Sequence, residues 1–353
     1  MTGTLIVGPA WIGDMVMAHT LVQKIRLALP EEPIEMLAPP ATARIAERMA
    51  EVSQVHVLET GHGEFGLGKR FRMGRLLANK KFSRSYVLPN SWKSALVPYF
   101  ARIDRRTGWR GEARYLLLND SAPLPKAELP LMVERFMALQ EIGEELRPPY
   151  PQPRLELDED RQEQLLAEHD LQRACPSVAL CPGAEFGQAK RWPEQSFAAV
   201  AAWVLKQKGD VWLLGGAADR EVCTRIAQSL GAPGSQVRNL AGKTSLSDAV
   251  DLLGAASAVI CNDSGLMHVA CAVDTPVVAL YGSTSPGFTP PLHAQASALS
   301  LVDLDDGALK LDCQPCFERT CRFKHGDCLG KLSPAFVIDR LEALSLFKQE
   351  EVS

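Results

Sequence analysis

No run in this sequence reaches the ~18 uninterrupted apolar residues that a membrane-spanning helix needs. The longest, Phe197 to Leu205, reads as a buried helix. The N-terminus lacks a basic n-region, and Asp14 interrupts its apolar stretch too early for a signal peptide. The expected location is therefore cytoplasmic. A dinucleotide fingerprint is missing: the turn Gly8-Pro9-Ala10-Trp11-Ile12-Gly13 lacks the middle glycine, and the second strand ends in Ala38-Pro39-Pro40 with no acid for a ribose. There is no Walker A loop. These two absences argue against a dehydrogenase and an ATPase. Excess charge is missing too. The net charge is −4, so the chain as a whole is no polyanion binder.

What is present suits two ordinary cores. The 353 residues are 46% hydrophobic and 23% charged, enough apolar material for two domains. The small net charge hides an asymmetry. Between Lys69 and Arg114 stand thirteen Lys or Arg and two acids, Asp104 and Glu112. That segment carries +11 and the remainder −15, which points to an anionic partner for the segment. The cations lack interleaved exposed aromatics and any nucleic-acid motif, so nucleic acid is not expected as a partner.

Strand-like and helix-like patterns alternate from the start. Thr4 to Val7 reads as a strand, Met15 to Leu29 as a helix, Ile34 to Ala38 as a second strand, with Val55 to Leu58 and Ser85 to Leu88 continuing. Such alternation implies a parallel sheet with helices on both faces. The proline-rich stretch Arg147 to Pro153 begins a connection, followed by an acidic, solvated helix from Glu156 to Asp170. The pattern then restarts with strands at Ser177 to Cys181, Asp210 to Leu214, Ala258 to Cys261 and Pro276 to Tyr281. Two α/β doubly wound, Rossmann-like domains facing a central cleft are expected. Their ranges are 1–172 and 173–353, with the last helix, Pro334 to Lys348, free to pack back on the first.

Ligands of open α/β sheets bind outside the strand C-termini. Three segments there carry chemistry. Asn262-Asp263-Ser264-Gly265-Leu266-Met267-His268 follows a strand and opens a short helix. Asp263 or Ser264 can cap it, and the N–H groups near Ser264, Gly265 and Leu266 suit a diphosphate. The bland reading is an ordinary capped helix with His268 as a packed core residue. Lys190, at the end of a long Gly-containing loop from Pro182 to Pro193, is placed to neutralise a leaving phosphate; alternatively, Lys190 and Arg191 are exposed loop charges. Asp14 either caps the first helix or removes a proton from an acceptor hydroxyl.

Nine cysteines divide into two groups. Cys175, Cys181, Cys223, Cys261 and Cys271 stand singly in apolar contexts and read as inert core residues. Cys313, Cys316, Cys321 and Cys328 form C-x2-C-x4-C-x6-C near His325, a loose metal-ligand spacing compatible with a structural zinc or a redox-sensitive cluster. The bland reading is a loop of reduced thiols. No catalytic metal is expected, since no DxD-type pair stands beside the phosphate segment, and no cofactor is required.

Several segments, taken in order, resemble the ADP-heptose:lipopolysaccharide heptosyltransferases. They are Gly8 to Met15, Tyr86 to Ser91, Thr107 to Gly111, Cys181 to Gly187 with Lys190 to Pro193, and Asn262 to His268. The resemblance runs through nearly the whole chain. It implies a GT-B fold, with the acceptor site in the first domain and the donor site in the second. It also implies transfer of L-glycero-D-manno-heptose from ADP-heptose to the first heptose of heptosyl-Kdo2-lipid A, with inversion. It makes Asp14 the base and Lys190 a phosphate contact. Gly183 joins the donor set, as do Asp263, Ser264, Gly265 and Leu266, with His268 in support. The loop of Gly242, Lys243 and Thr244 would border adenine, and Asp219 or Glu221 would hold the ribose. For the basic segment it suggests the acceptor's Kdo carboxylates, lipid A phosphates and the inner membrane's cytoplasmic face. Gly13, Lys69, Arg70, Arg72, Lys93 and Arg110 are the acceptor candidates; Lys69, Arg70 and Arg72 follow the Gly-rich stretch Gly61 to Gly68, which reads as a mobile acceptor loop. A nucleotide-sugar epimerase of the same architecture is the alternative.

Overall fold

A computed structural model describes residues 3–61, 63–231, 236–304 and 311–347. His62 of the Gly-rich stretch and Lys348 lie outside them. The chain forms two compact units, Met1–Glu156 and Leu157–Ser353.

The first unit runs β1 (Gly3–Val7), α1 (Ile12–Ala28), β2 (Ile34–Ala38), α2 (Pro40–Ala46), β3 (Val52–Val57), α3 (Leu67–Leu77), β4 (Phe82–Val87), α4 (Leu96–Phe100), β5 (Arg105–Thr107) and α5 (Met132–Met137). The strands pair in the order β3-β2-β1-β4-β5, all parallel. β1 is buried along its whole length, which is why it reads as an unbroken apolar run rather than an alternating one. α1 buries Met15 to Val22 and Ile25 between the sheet and its neighbours α2 and α5. A helix covered on several faces needs no polar stripe. Pro40 opens α2 at a position where its missing N–H costs nothing.

The second unit runs α6 (Glu159–Glu168), β6 (Ser177–Cys181), α7 (Glu194–Lys206), β7 (Asp210–Leu213), α8 (Arg220–Ser229), β8 (Val237–Asn239), α9 (Leu246–Ala255), β9 (Ala258–Asn262), α10 (Gly265–Ala272), β10 (Val277–Tyr281), β11 (Ala296–Ser300), α11 (Asp327–Gly330) and α12 (Pro334–Ala343). Its six strands are parallel in the order β11-β10-β9-β6-β7-β8. Val178, Leu180, Phe197, Val211, Ile260 and Leu280 are fully buried in its core, each contributing roughly 1.5–3 kcal/mol.

One boundary expectation is corrected. The first unit ends at Glu156, not at 172, because α6 belongs with the second unit. Far from being merely solvated, α6 buries Gln162, Leu165 and Leu166. Arg161 pairs with Asp248 at 2.9 Å, Asp158 N–H donates to Asp251, and Gln162 donates to the Asp251 carbonyl. Leu157 lies so close to Gly254 that a Cβ there would approach it to 2.7 Å. The last helix places Val337 and Leu341 in the core of the second unit.

In each sheet the strand order reverses once, between β1 and β4 and between β6 and β9. The loops leaving those strands border each unit's own topological switch point, where open sheets bind ligands.

Candidate active site

In the first unit the switch point is made by the turn after β1 and the segment after β4. Gly8 N–H donates to Leu37 O, and a Cβ at Gly8 would meet the Met15 side chain at 2.5 Å. Thr42 Oγ1 donates to Pro9 O and holds the turn. Trp11 is the N-cap residue of α1 and makes no side-chain cap bond. Gly13 and Asp14 are therefore the second and third residues of the helix, both half-buried. Asp14 does not occupy the cap position.

The segment after β4 is organised by a residue not singled out from sequence. Arg114 is 2% exposed. Its guanidinium donates to the carbonyls of Trp109, Pro89 and Ser91, to Ser94 Oγ and to Asn90 Oδ1. Burial pushes its pKa down to about 10, so it stays charged at neutral pH. Composition counts Arg114 among thirteen cations, but nothing in spacing distinguishes a buried arginine from an exposed one.

Among the acceptor candidates, three meet in one knot. Arg70 is buried and donates to Phe65 O and Lys93 O. Lys93 Nζ donates to Glu64 O at 3.3 Å, and Lys69 pairs with the Glu64 carboxylate at 2.9 Å. Arg70 thus holds the loop before α3 against the single 3-10 turn Trp92–Ala95. Arg72 is exposed. Arg110 is exposed and donates to Ser121 O at 3.4 Å.

In the second unit the donor candidates converge. Asn262, fully buried, accepts from Trp192 N–H at 3.0 Å and donates to Pro182 O at 2.8 Å, tying the loops after β6 and β9 together. Lys190 Nζ donates to Asp263 Oδ2 at 2.6 Å and to Asp263 O at 3.2 Å. A carboxylate 4% exposed needs such partners. Thr284 Oγ1 adds a bond to Oδ2 at 2.6 Å and Thr289 Oγ1 one to Oδ1 at 3.4 Å. The Lys190 ammonium also lies 5.0 Å from the centre of the Phe186 ring, with Arg319 5.1 Å from that centre. Thr284, Thr289 and Phe186 carried no role in the sequence reading. Phe186 lies within the Cys181 to Gly187 segment, and Thr284 ends the small polar run Gly282-Ser283-Thr284 after β10.

Ser264 is the N-cap residue of α10, extended and without a side-chain cap bond. Ser264, Gly265 and Leu266 are half-exposed, whereas Asn262, Asp263, Met267 and His268 around them are buried. The uncapped positive end of the helix is open to a ligand, and the Asp263 side chain is turned to Lys190 instead. His268 is 5% exposed, and burial pushes its pKa down to about 4. It is a neutral packed group beneath the loop at pH 7.

Gly183 leaves room that no other residue would: a Cβ there would sit 2.4 Å from Asp219 Oδ2. Asp219 accepts from Gly216 N–H at 3.0 Å and stays beside the strand ends. Glu221 is instead 88% exposed and paired with Arg225 on α8. Gly242 adopts φ +67°, a left-handed turn that suits glycine, and accepts from Arg220. Lys243 is exposed and Thr244 half-exposed after it, ahead of the Ser245–Asp248 capping box of α9.

Cys181, Cys223, Cys261 and Cys271 are buried, and burial raises their thiols, Cys223 and Cys271 to about 12, so they are inert core groups. Cys313, Cys316, Cys321 and Cys328 line one cavity of about 60 Å³ with His325 and Gln314. Among the described residues, no three Cys, His, Asp or Glu gather into a set that could hold a metal.

Two parallel Rossmann-like sheets, with an uncapped helix end beside a lysine at the second switch point, define a glycosyltransferase of the GT-B class. The family model for glycosyltransferase family 9 (heptosyltransferase) matches residues 70–326. The chain is 43% identical over 305 residues to lipopolysaccharide heptosyltransferase 2 of Salmonella typhimurium, covering 84% of this chain and 88% of that protein. It is 40% identical to lipopolysaccharide heptosyltransferase 2 of Escherichia coli K12, covering 98% and 99%. The solved structure of E. coli ADP-heptose lps heptosyltransferase II superposes with a TM-score of 0.85 at 38% identity, over 97% of this chain and 98% of that one. The chain belongs to glycosyltransferase family 9 and is an enzyme of heptosyl transfer. The epimerase alternative is withdrawn, since these full-length relatives are heptosyltransferases.

Proposed function

We propose that this enzyme transfers L-glycero-D-manno-heptose from ADP-heptose to the first heptose of heptosyl-Kdo2-lipid A, with inversion at the anomeric carbon. The observation that carries the reading is the full-length identity to lipopolysaccharide heptosyltransferase 2 of E. coli. Asp14 is the proposed base. Its carboxylate takes the proton of the acceptor hydroxyl as that oxygen attacks the anomeric carbon and the bond to the ADP oxygen breaks. The departing diphosphate gathers negative charge. The N–H groups of Gly265 and Leu266 at the open end of α10 meet it. Lys190 has three N–H donors, and two are engaged by Asp263. The third is left for a phosphate oxygen, from an ammonium already held in position, so little reorganisation is needed during reaction. Gly183, Lys243, Thr244 and Asp219 are proposed to border the nucleoside, and Gly13, Lys69, Arg72 and Arg110 the anionic acceptor. Arg70 and Lys93 act through the knot that shapes this surface. No protein-bound metal enters the proposed mechanism. The enzyme is proposed to work at the cytoplasmic face of the inner membrane, in peripheral contact with it.

The test pairs two measurements on wild type and Asp14→Asn: heptose transfer read by mass spectrometry, and ADP binding read by calorimetry. The proposal expects one added heptose with wild type. It expects kcat to fall about 10²- to 10⁴-fold in the variant, with ADP affinity unchanged. Transfer at the wild-type rate by the variant removes Asp14 from the mechanism.

A further inference from the structure

Eight of the eleven exposed large hydrophobic side chains among the described residues fall between Phe65 and Leu116, the stretch that also carries the +11 charge. Exposed aromatics therefore do stand among these cations, contrary to the expectation from sequence. α3 shows the pattern most clearly. It packs on α4 and buries Arg70, Gly74 and Leu77. A Cβ at Gly74 would come within 2.4 Å of Phe100. Leu67 and Phe71 flank this buried stripe on one side and Leu76 on the other, each about half-exposed, with Arg72 and Arg75 between them on the outside. Exposed aromatic rings continue beyond Phe71. Phe71 meets Phe100 edge-on at 5.2 Å, Phe100 meets Tyr99 at 5.8 Å, and Arg106 lies over Tyr99. Phe65 stacks on Trp92 at 6.0 Å, and the Arg70 bonds to Phe65 O and Lys93 O join that pair to the start of α3. Acids also stand at the patch: Glu64, paired with Lys69, Glu112, which accepts from Trp92 N–H, and Asp104 near Arg106.

We infer that α3 and the 92–100 segment form a docking surface for an anionic lipid bilayer. The inference rests on the peripheral membrane contact proposed above and gives it an address. Half-exposed Leu and Phe enter the headgroup boundary, while the flanking Arg and Lys meet lipid phosphates. Trp92 and Tyr99 are the residue types that settle at that depth. A single-stranded nucleic acid would also accept aromatics among cations, but Leu67 and Leu76 offer no ring for a base to stack on. Aliphatic side chains of this kind favour acyl chains.

The full chain, without donor or acceptor, is sedimented with vesicles of phosphatidylcholine alone or with 30% phosphatidylglycerol, in a parallel competition with a single-stranded oligonucleotide. A Phe71→Ser/Arg75→Ser/Leu76→Ser variant is compared, its fold checked by circular dichroism. The inference expects binding to anionic vesicles that weakens with salt. It expects at least a tenfold lower partition coefficient in the variant, and little binding to neutral vesicles. Heptose transfer to a deacylated, water-soluble acceptor should stay at the wild-type rate in the variant, which separates this surface from the catalytic reading. Equal binding by wild type and variant, equal binding to both vesicle types, or displacement by the oligonucleotide would overturn it. A variant that fails to fold leaves the wild-type comparison of neutral and anionic vesicles to decide.

Discussion

At the scale of single residues, the site depends on which charges are buried and what holds them. Asp263 is sealed in by Lys190 and two threonines. Lys190→Ala would strand its carboxylate and, on the proposed mechanism, remove a phosphate contact. The expected result is a loss of about 3 kcal/mol of stability in urea titrations, together with weaker ADP binding by calorimetry. His268 makes a pH prediction. Its imidazole titrates near 4 when folded and near 6.5 when exposed. Between those values the unfolded chain holds a proton that the native state does not. Stability should therefore fall as pH drops from 6.5 toward 4, by roughly 3 kcal/mol in all, and level off below. His268→Gln should flatten that part of the midpoint-against-pH curve. An unchanged slope would mean the titrating group lies elsewhere. Residue types were legible in the sequence, and their burial was not. Lys190 and Asp263 were both read as donor contacts, yet the Asp263 carboxylate faces the lysine. Arg70 is an acceptor candidate by sequence, and its guanidinium is held by two backbone carbonyls. A cation's partners are set by segments distant in sequence, such as Lys93, 23 positions beyond Arg70.

At the scale of elements, the strands were the most legible features. β1, β6, β9 and β10 are buried along their full length, so each stands out as an apolar run ending in small residues. The α10 start was legible for the same reason, because a strand-to-helix turn with a glycine repeats the pattern of an anion site. The acidic helix α6 was misread because its apolar stripe is only Leu165 and Leu166, too little to reveal which unit it covers. Gly183 shows how closely the β6 loop and the α8 entry fit together. Gly183→Ala would drive a methyl into Asp219. We expect about 1–3 kcal/mol of destabilisation and an ADP affinity reduced at least tenfold, read by thermal melting and calorimetry. Normal affinity in a folded Gly183→Ala protein would remove this loop from the donor site.

For the whole molecule, sequence disclosed two sheets and a lopsided charge distribution. It did not disclose that the basic segment also carries most of the exposed large hydrophobic side chains among the described residues. Both follow from one arrangement of α3 and α4, in which the buried stripe uses an arginine and a glycine and leaves Leu67, Phe71 and Leu76 outside. Among the described residues, no helix is long and apolar enough to cross a membrane. The proposed chemistry also makes no use of a bound metal. Transfer should persist after exhaustive treatment with a chelator, and activity lost to the chelator and restored by one divalent ion would require revision of the mechanism. The most direct test of the account compares initial rates of heptose transfer from ADP-heptose onto heptosyl-Kdo2-lipid A and onto Kdo2-lipid A, with products weighed by mass spectrometry. The account predicts one added heptose on the first acceptor and almost none on the second; preference for Kdo2-lipid A, or no transfer to either by folded protein, would contradict it.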